Sequence, residues 1–196
     1  MIQTAPRADI RSIAQSGKLN LAVRLNGERS QGAVISAPGS PKLISGVLLE
    51  ALAIHPDDRG YFEEVFRVGK GLASELAGAK ELQVSAALSY AGTIKAIHFH
   101  LRQTDLWTPA LGLMQVVLYD LRVDSPTFGQ TNTIYSGVLR PLQILIPPGV
   151  GHGYKVVGPD PALLVYATDR FYDPSDEGRI AWNDPDINYD WDTQKK

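Results

Sequence analysis

Residues 92–112 read GTIKAIHFHLRQTDLWTPALG, and they contain two of the four histidines of this 196-residue chain. His98 and His100 are separated by one phenylalanine, within an apolar segment that is typical of a β-strand. Side chains at positions i and i+2 of a strand point to the same face, with Cα atoms roughly 6.5–7 Å apart. We therefore expect both imidazoles on one face, where they could share a metal ion at about 2.1 Å or supply a catalytic base.

The residues around this pair have the spacing of a known fold. In order along the chain they are Gly92, His98, His100, Asp105 and Gly112. This spacing resembles the first cupin motif, with aspartate in place of the usual glutamate. The second cupin motif, Pro-x-Gly-x-x-His, is matched by Pro147, Gly149 and His152, although Pro141 stands where a glycine is usual.

The cupin resemblance implies a metal site. Three histidines and a carboxylate suit a divalent ion such as Fe, Mn, Ni, Zn or Cu. The candidate ligands are His98, His100, Asp105 and His152. The chain contains no cysteine, which excludes disulfides and thiolate ligands.

Composition favours a single globular domain and excludes several classes of partner. The chain is 44% apolar and 20% charged, close to the average for globular proteins. A formal net charge of −2 provides no attraction for nucleic acid or acidic membranes. No apolar run reaches the roughly 18 residues of a membrane span, and the first residues lack the apolar core of a signal peptide. We expect a cytoplasmic protein that binds neither nucleic acid nor membranes.

The first 45 residues differ from the rest of the chain. Asp9 is a candidate N-cap of a short helix containing Ile10 and Ile13, and a polar stretch rich in Gly and Pro follows. We interpret residues 1–45 as an N-terminal arm, either an edge strand or a dimer arm, and residues 46–196 as the main domain.

The main domain has the pattern of a β protein. Short β-branched and aromatic segments alternate with Gly, Pro and Asp, which predicts about eight or nine strands. The one convincing helix is LASELAGAKEL, at 72–82. This arrangement predicts an all-β sandwich or barrel of jelly-roll type. Together with the cupin resemblance, it implies a cupin jelly roll, a double-stranded β-helix with one short helix. No Rossmann or P-loop fingerprint is present in the sequence.

A second resemblance covers residues 46–191. It rests on six segments, DDRGYFEE (57–64), KAIHFH (95–100), DLRVDSPTFGQ (120–130), IPPGVGHGY (146–154), LLVYATDRFYDPSDEG (163–178) and WNDPDINYDW (182–191). Together they resemble the dTDP-4-dehydrorhamnose 3,5-epimerase family. The resemblance implies a cupin-fold isomerase that acts on a nucleotide sugar, works as a homodimer and requires no cofactor.

The same resemblance implies roles for individual residues. The family removes a proton α to the C4 ketone of a dTDP-4-keto-6-deoxy sugar and returns it on the opposite face, which requires a base, an acid and a positive group for the enolate. The base corresponds to His98 and the acid to Tyr166. The predicted substrate-binding residues are Arg59, Glu64, Gln83, Lys95, His152 and Tyr172.

Several family positions are altered in this chain. The RGLH motif reads KAIH, so Lys95 replaces an arginine, and His100 replaces a glutamine. The lysine that should hold the enolate oxygen aligns, after a three-residue deletion, with Asp105. The aspartate of the family's His–Asp pair lies beyond the WNDP segment, and we expect no counterpart before Lys196.

Three hypotheses follow. The leading one is a sugar-nucleotide epimerase related to the 3,5-epimerases, acting α to a 4-keto group. The second is a metal-dependent cupin enzyme, an isomerase or a dioxygenase, with a three-histidine, one-aspartate site holding Fe, Mn, Ni or Zn. The third is an inactive sugar-binding cupin.

Overall fold

The computed structural model describes residues 9–192, and their secondary structure is nearly all β. The strands, in chain order, are β1 (Ile10–Ser16), β2 (Leu19–Arg24), β3 (Ala33–Val34), β4 (Leu48–Ala51), β5 (Ile54–Asp57), β6 (Gly60–Glu63), β7 (Gln83–Ser89), β8 (Ile94–His100), β9 (Asp105–Leu111), β10 (Leu113–Asp120), β11 (Thr131–Gly137), β12 (Leu142–Ile146), β13 (Val150–Val156), β14 (Ala162–Thr168) and β15 (Glu177–Arg179). A short 3₁₀ helix, Gly71–Leu76, lies between β6 and β7.

Two sheets form the body of the protein. The larger sheet has six strands in the order β15-β8-β13-β10-β11-β3, and the smaller sheet has five in the order β4-β12-β9-β14-β7. Apart from the parallel pair β3–β11, neighbouring strands in both sheets run antiparallel. This arrangement confirms the predicted all-β jelly roll.

Strand β10 shows how apolar side chains are divided between the two faces of the larger sheet. Val116 and Leu118 pack between the two sheets, whereas Val117 and Tyr119 pack on the outer face. This alternation has the period of two expected of a strand, and all four residues are at most 3% exposed. Burial of each such side chain contributes about 1.5–3 kcal/mol to folding.

The outer face of the larger sheet is covered by segments from both ends of the described chain. The β1–β2 hairpin packs there through Leu21 and Val23, and the segment after β15 packs there through Ile187 and Trp191. With this face covered, the opposite face of the larger sheet is left to form a cavity with the smaller sheet.

The helix predicted after Asp9 is wrong, because these residues form β1. β1 pairs antiparallel with β2, and Gly17, at φ +56°, makes the turn between them. A short isolated helix is marginal in water, so the partner strand and the sheet beneath decide the outcome. Further along, β3 is an edge strand of the larger sheet, one of the two roles expected of the arm. Residues 1–8 of the predicted arm lie outside the described part of the chain.

The helix predicted at 72–82 is present in a shorter form. The 3₁₀ helix buries Ala73 and Leu76, and the Glu50 carboxylate accepts a hydrogen bond from the Leu72 N–H at 2.8 Å. None of the helices within residues 9–192 has the length and hydrophobicity needed to span a lipid bilayer.

Candidate active site

A cavity of about 240 Å³ lies between the two sheets. Its lining side chains come from β7, β8, β9, β13 and β14 and from two adjoining loops, and they are Gln83, Ala87, Lys95, His98, His100, Gln103, Asp105, Trp107, His152, Tyr154, Leu164, Tyr166, Thr168 and Tyr172. The structure therefore brings most of the predicted site residues to one place. His98 and His100 share a face of β8, as their spacing predicted.

Lys95 reaches the same cavity because β8 contains a bulge. Opposite β13, His98 pairs with His152 and Lys95 pairs with Tyr154, so two residues of β8 stand against Gly153 alone. A Cβ at Gly153 would lie 2.3 Å from the Ala96 Cβ, so the close approach of the two strands requires glycine there. The extra residue turns Lys95 to the face that carries His98.

His98 lies beside a carboxylate that the sequence analysis did not identify. Its Nδ1 is 3.3 Å from Glu177 Oε1, and the same oxygen accepts a hydrogen bond from Arg179 Nε at 2.6 Å. Burial lowers the pKa of His98, although Glu177 acts against this effect. A histidine that is neutral near pH 7 can accept a proton. Its side chain is 34% exposed, so it is accessible from the cavity.

His100, Asp105 and His152 form a buried cluster deeper in the cavity. Asp105 Oδ2 lies 3.5 Å from His152 Nε2 and 4.0 Å from His100 Nε2. The two imidazoles stack with their centroids 5.5 Å apart. Gln103 Nε2 donates to Asp105 Oδ1 at 2.6 Å and lies 3.1 Å from His100 Nε2, and Trp107 Nε1 donates to Asp105 Oδ2 at 3.0 Å.

Burial controls the protonation of this cluster. It lowers the pKa of His152 to about 4, and the pKa of His100 is lowered by burial and by the neighbouring His152. Burial raises the pKa of Asp105, against the effect of nearby His100 and of the two donors to its carboxylate. The His152 Nδ1 contacts the Val150 carbonyl oxygen at 3.0 Å, so in the neutral ring Nδ1 carries the proton and Nε2 is a free acceptor.

The cluster has the donor chemistry of a metal site, but not the complete set expected. One ligand atom each from His100, Asp105 and His152 lies within 4.8 Å of the others, and His98 is not in this group. His100 Nδ1 is buried without a hydrogen-bond partner. The Gln103 amide, however, already contacts both His100 and Asp105. Imidazole and carboxylate suit Zn, Fe, Mn or Ni, so the three residues fit a divalent ion if the Gln103 amide turns away.

The smaller sheet supplies the opposite wall of the cavity. Tyr166 on β14 stands between Trp107 on β9 and Ser85 on β7. Gln83 Oε1 accepts a hydrogen bond from the Tyr172 N–H at 3.1 Å, which fixes the loop after β14 beside β7. His98 and Tyr166 therefore line the cavity from opposite sheets.

Two predicted substrate-binding residues lie elsewhere. Arg59 lies at the turn of the β5–β6 hairpin, where its side chain is 83% exposed and pairs with Asp57. Glu64 follows β6 and pairs with Arg67. Neither residue lines the cavity.

The residues that sequence reasoning missed are Gln103 and Glu177. Gln103 belongs to no motif. The only signal in the sequence is its position between the HxH pair and Asp105. Glu177 lies in the acidic run DPSDEG (173–178), whose composition is typical of a loop, whereas the structure pairs Glu177 with the edge of β8.

Comparison with known proteins gives a consistent result. The family model described as dTDP-4-dehydrorhamnose 3,5-epimerase matches residues 41–196. The spore coat polysaccharide biosynthesis protein SpsL of Bacillus subtilis is 44% identical over 154 residues, which cover 78% of this chain and 99% of SpsL. The crystal structure of NovW, a 4-keto-6-deoxy sugar epimerase of Streptomyces spheroides, aligns with a TM-score of 0.68 and 27% identity over 85% of this chain and 84% of NovW. The epimerase RmlC of Legionella pneumophila, solved in complex with dTDP-4-keto-L-rhamnose, aligns with a TM-score of 0.65 and 28% identity over 76% of this chain and 80% of RmlC.

Proposed function

The chain belongs to the dTDP-4-dehydrorhamnose 3,5-epimerase family and is a sugar-nucleotide epimerase, and we propose that its substrate is a dTDP-linked 4-keto-6-deoxy sugar. His98 removes a proton from a carbon next to the ketone, and Tyr166 returns one on the opposite face. The substrate class is that of NovW, and the Legionella enzyme binds a compound of the same class.

The observation that carries this proposal is the placement of His98 and Tyr166 on facing sheets of one cavity. Inversion at carbon requires that one group takes a proton from one face while another donates to the opposite face. A single strand cannot supply both groups, whereas two walls of a cavity can. The lowered pKa of His98, caused by its burial, keeps the imidazole ready to accept a proton.

Lys95 supplies the positive charge that the enolate requires. It is the only lysine or arginine among the described residues that line the cavity. Asp105 occupies the position of the family's lysine. Two hydrogen bonds hold its carboxylate in place, and burial raises its pKa, which opposes the negative charge on this residue. An ammonium group near the developing oxyanion stabilises its negative charge.

The test is solvent exchange. The protein is incubated in D₂O with dTDP-4-keto-6-deoxyglucose, and deuterium at C3 and C5 is followed by mass spectrometry and NMR. Wild type incorporates deuterium, and His98→Asn slows incorporation about 10²- to 10⁴-fold. Tyr166→Phe continues to exchange but no longer inverts, because only the base remains. His55→Gln, at an exposed histidine, is the matched control. Absence of deuterium in the wild-type reaction rules out this substrate.

A homodimer is also part of the proposal. β7 is an edge strand of the smaller sheet. Its residues Val84 and Leu88 are 56% and 57% exposed, and Tyr90, just after the strand, is 75% exposed. Exposed apolar stripes of this kind are typical of interaction surfaces. Arg59 and Glu64 are the proposed nucleotide contacts. They lie on and just after the exposed β5–β6 hairpin, which in a dimer would extend into the cavity of the neighbouring subunit.

A cytoplasmic location stays a prediction.

Sedimentation velocity tests the dimer. Leu88→Glu should convert a dimer to a monomer, because it places a charge in the apolar stripe. Leu139→Glu, at a residue that is 93% exposed on a turn between β11 and β12, should leave the dimer intact. A wild-type protein that sediments as a monomer at micromolar concentration overturns this part of the proposal.

A metal-dependent reaction is the second candidate function. It is favoured by the convergence of His100, Asp105 and His152. Elemental analysis of protein purified without added metal should then find near-stoichiometric Fe, Mn, Ni or Zn. That metal should disappear in His100→Ala and Asp105→Ala but stay in His55→Gln. A metal-free wild type excludes this candidate.

If neither metal nor exchange is found while dTDP raises the melting temperature, the protein is a sugar-nucleotide binder without activity.

A further inference from the structure

We propose that the N-terminal arm is a clamp on the tail, residues 180–192, and that through the tail it positions β15 at the edge of the active site. The family model matches residues 41–196, so residues 9–40 of the arm lie outside it. The effect of the arm on catalysis rests on the proposed function, whereas its contact with the tail does not.

The arm and the tail bury their apolar side chains together. On the outer face of the larger sheet, Leu21 and Val23 of β2 belong to the same buried cluster as three residues of the tail, Ile187, Tyr189 and Trp191. All five are at most 6% exposed. Because the two segments share one cluster, displacement of the arm would expose apolar surface of the tail to water, which is unfavourable.

Backbone hydrogen bonds join the arm to the tail. The Gly27 N–H donates to the Asp186 carbonyl oxygen at 3.0 Å. The Ser30 N–H donates to the Asn188 carbonyl oxygen at 3.3 Å, and the Ser30 carbonyl oxygen accepts from the Asp190 N–H at 3.0 Å. A Cβ at Gly27 would lie 2.1 Å from the Asp186 carbonyl oxygen, so the close approach of the two segments requires glycine at this position.

Two arginines of the arm pair with carboxylates of the tail. Arg11 Nη2 lies 2.6 Å from Asp184 Oδ2, and its Nε donates to Asp186 Oδ2 at 3.0 Å. Arg29 Nη2 donates to Asp190 Oδ1 at 2.9 Å. The Asp184 side chain is only 8% exposed, whereas that of Arg29 is 60% exposed. We therefore expect Arg11 to contribute more to the clamp, because water screens exposed ion pairs.

The tail continues directly from β15, which lies beside the proposed base. β15 has three residues and is the edge strand that pairs with β8, opposite His98. The Ile97 and Ile180 backbones exchange N–H to carbonyl hydrogen bonds at 3.0 and 2.9 Å, so the first residue of the tail extends this pairing. Before β15, Asp176 accepts from Arg102 Nε at 2.9 Å. A strand this short depends on what holds the residues on either side, and the arm holds the tail.

Two variants of the full chain weaken the clamp. In Gly27→Ala the new Cβ meets the Asp186 carbonyl, while Gly27 itself has no positive φ, so the arm is not strained. Arg11→Gln removes the pairing with the tail carboxylates and leaves the backbone unchanged. The matched controls are Gly78→Ala, where no atom lies within 4 Å of the new Cβ, and Lys18→Gln, at the exposed turn of the β1–β2 hairpin.

Amide hydrogen–deuterium exchange, followed by mass spectrometry, tests the clamp. In Gly27→Ala we expect the amides of the tail and β15 to exchange about 10- to 100-fold faster than in wild type, while those of β10 and β12 change less than about twofold. In Arg11→Gln we expect about a 3- to 10-fold increase in the same segments, and both controls should match wild type.

Three results would overturn the clamp: faster amide exchange in the arm alone, an equal increase in all segments, or an unchanged tail in both variants. An equal increase would mean that the arm is an ordinary part of the core. If Gly27→Ala does not fold, Arg11→Gln decides.

The effect on catalysis is measured separately. We expect kcat to fall about 3- to 10-fold in Gly27→Ala while KM changes less than about twofold, because β15 borders His98 and a loosened edge affects the reacting geometry more than substrate binding. An unchanged kcat beside a loosened tail overturns the positioning of the active site and leaves the clamp. If wild type is inactive on the dTDP sugar, the proposed substrate fails, and amide exchange alone decides on the clamp.

Discussion

Lys95 and His98 lie on the same side of β8 although three positions separate them, because a bulge opposite Gly153 reverses the alternation between them. A regular strand would direct Lys95 to the outer face with Ile97 and Phe99. One glycine on the neighbouring strand thus decides whether the cavity contains a permanent positive charge.

Gly153→Ala should damage both stability and activity. The new Cβ would lie 2.3 Å from the Ala96 Cβ and 2.7 Å from the Lys95 carbonyl oxygen, so the bulge must shift. We expect a loss of about 1–3 kcal/mol in the free energy of unfolding, measured with urea, together with reduced kcat. Gly78→Ala, with no atom within 4 Å of the new Cβ, is the control. The double variant Gly153→Ala/Ala96→Gly should recover only part of the loss, since the Lys95 carbonyl stays close.

Lys95→Met should lower kcat more strongly than it raises KM. The ammonium group is needed when negative charge develops on the enolate, so its loss affects the transition state more than substrate binding. We expect a fall in kcat of about 10²- to 10³-fold, and a smaller one in Lys95→Arg, which keeps the charge. Lys80→Met, outside the cavity, is the control. If kcat is unchanged in Lys95→Met, a group other than Lys95 stabilises the enolate.

His152 should make the fold sensitive to acid. Burial lowers its pKa in the folded protein to about 4, below the value of about 6.5 expected in the unfolded chain. Between these two values the unfolded chain binds a proton that the folded protein does not, so stability is complete above about pH 6.5 and decreases as the pH falls towards 4. We expect this histidine to account for about 3 kcal/mol of that decrease.

Urea unfolding at pH 7.5 and pH 4.5 measures the effect of His152. His152→Phe removes the titrating group, so its stability should change less between the two pH values than that of wild type. His55→Gln replaces an exposed histidine and should keep the wild-type change. Equal changes in wild type and His152→Phe would contradict the prediction.

Gln103→Leu should destabilise the fold, because it removes the donor to two buried polar atoms, Asp105 Oδ1 and His100 Nε2. The amide donates to Asp105 Oδ1 and contacts His100 Nε2, and all three residues are buried. Removing a donor from a buried carboxylate costs about 1–3 kcal/mol. Thermal unfolding should show the loss, and Gln130→Leu, at an exposed position, should show almost none. A stability equal to wild type would mean that water replaces the amide.

The parts of the site that could be predicted from sequence depend on local geometry. The alternation of a strand puts His98 and His100 on one face, whatever the rest of the chain does. The spacing of the second motif places His152 at the start of β13, where the register sets it opposite His98.

The parts of the structure that a local sequence pattern does not determine depend on a partner strand distant in sequence. Lys95 faces the cavity because of Gly153, and Glu177 becomes part of a strand because β8 has a free edge. The N-terminal helix was predicted from a local cap, but pairing with β2 makes the segment a strand. A pattern within one segment does not contain these contacts.

Trp107 gives the protein an internal optical reporter. Its indole donates to Asp105 and meets the His152 ring edge-on, with centroids 5.0 Å apart, so it senses both the charge of the cluster and the contents of the cavity. Trp182 is 51% exposed, and Trp191 packs with Tyr189 on the far side of the larger sheet. In Trp182→Phe, a change in tryptophan fluorescence on adding a nucleotide sugar would therefore arise chiefly at the cavity, and binding could be followed without any label on the ligand.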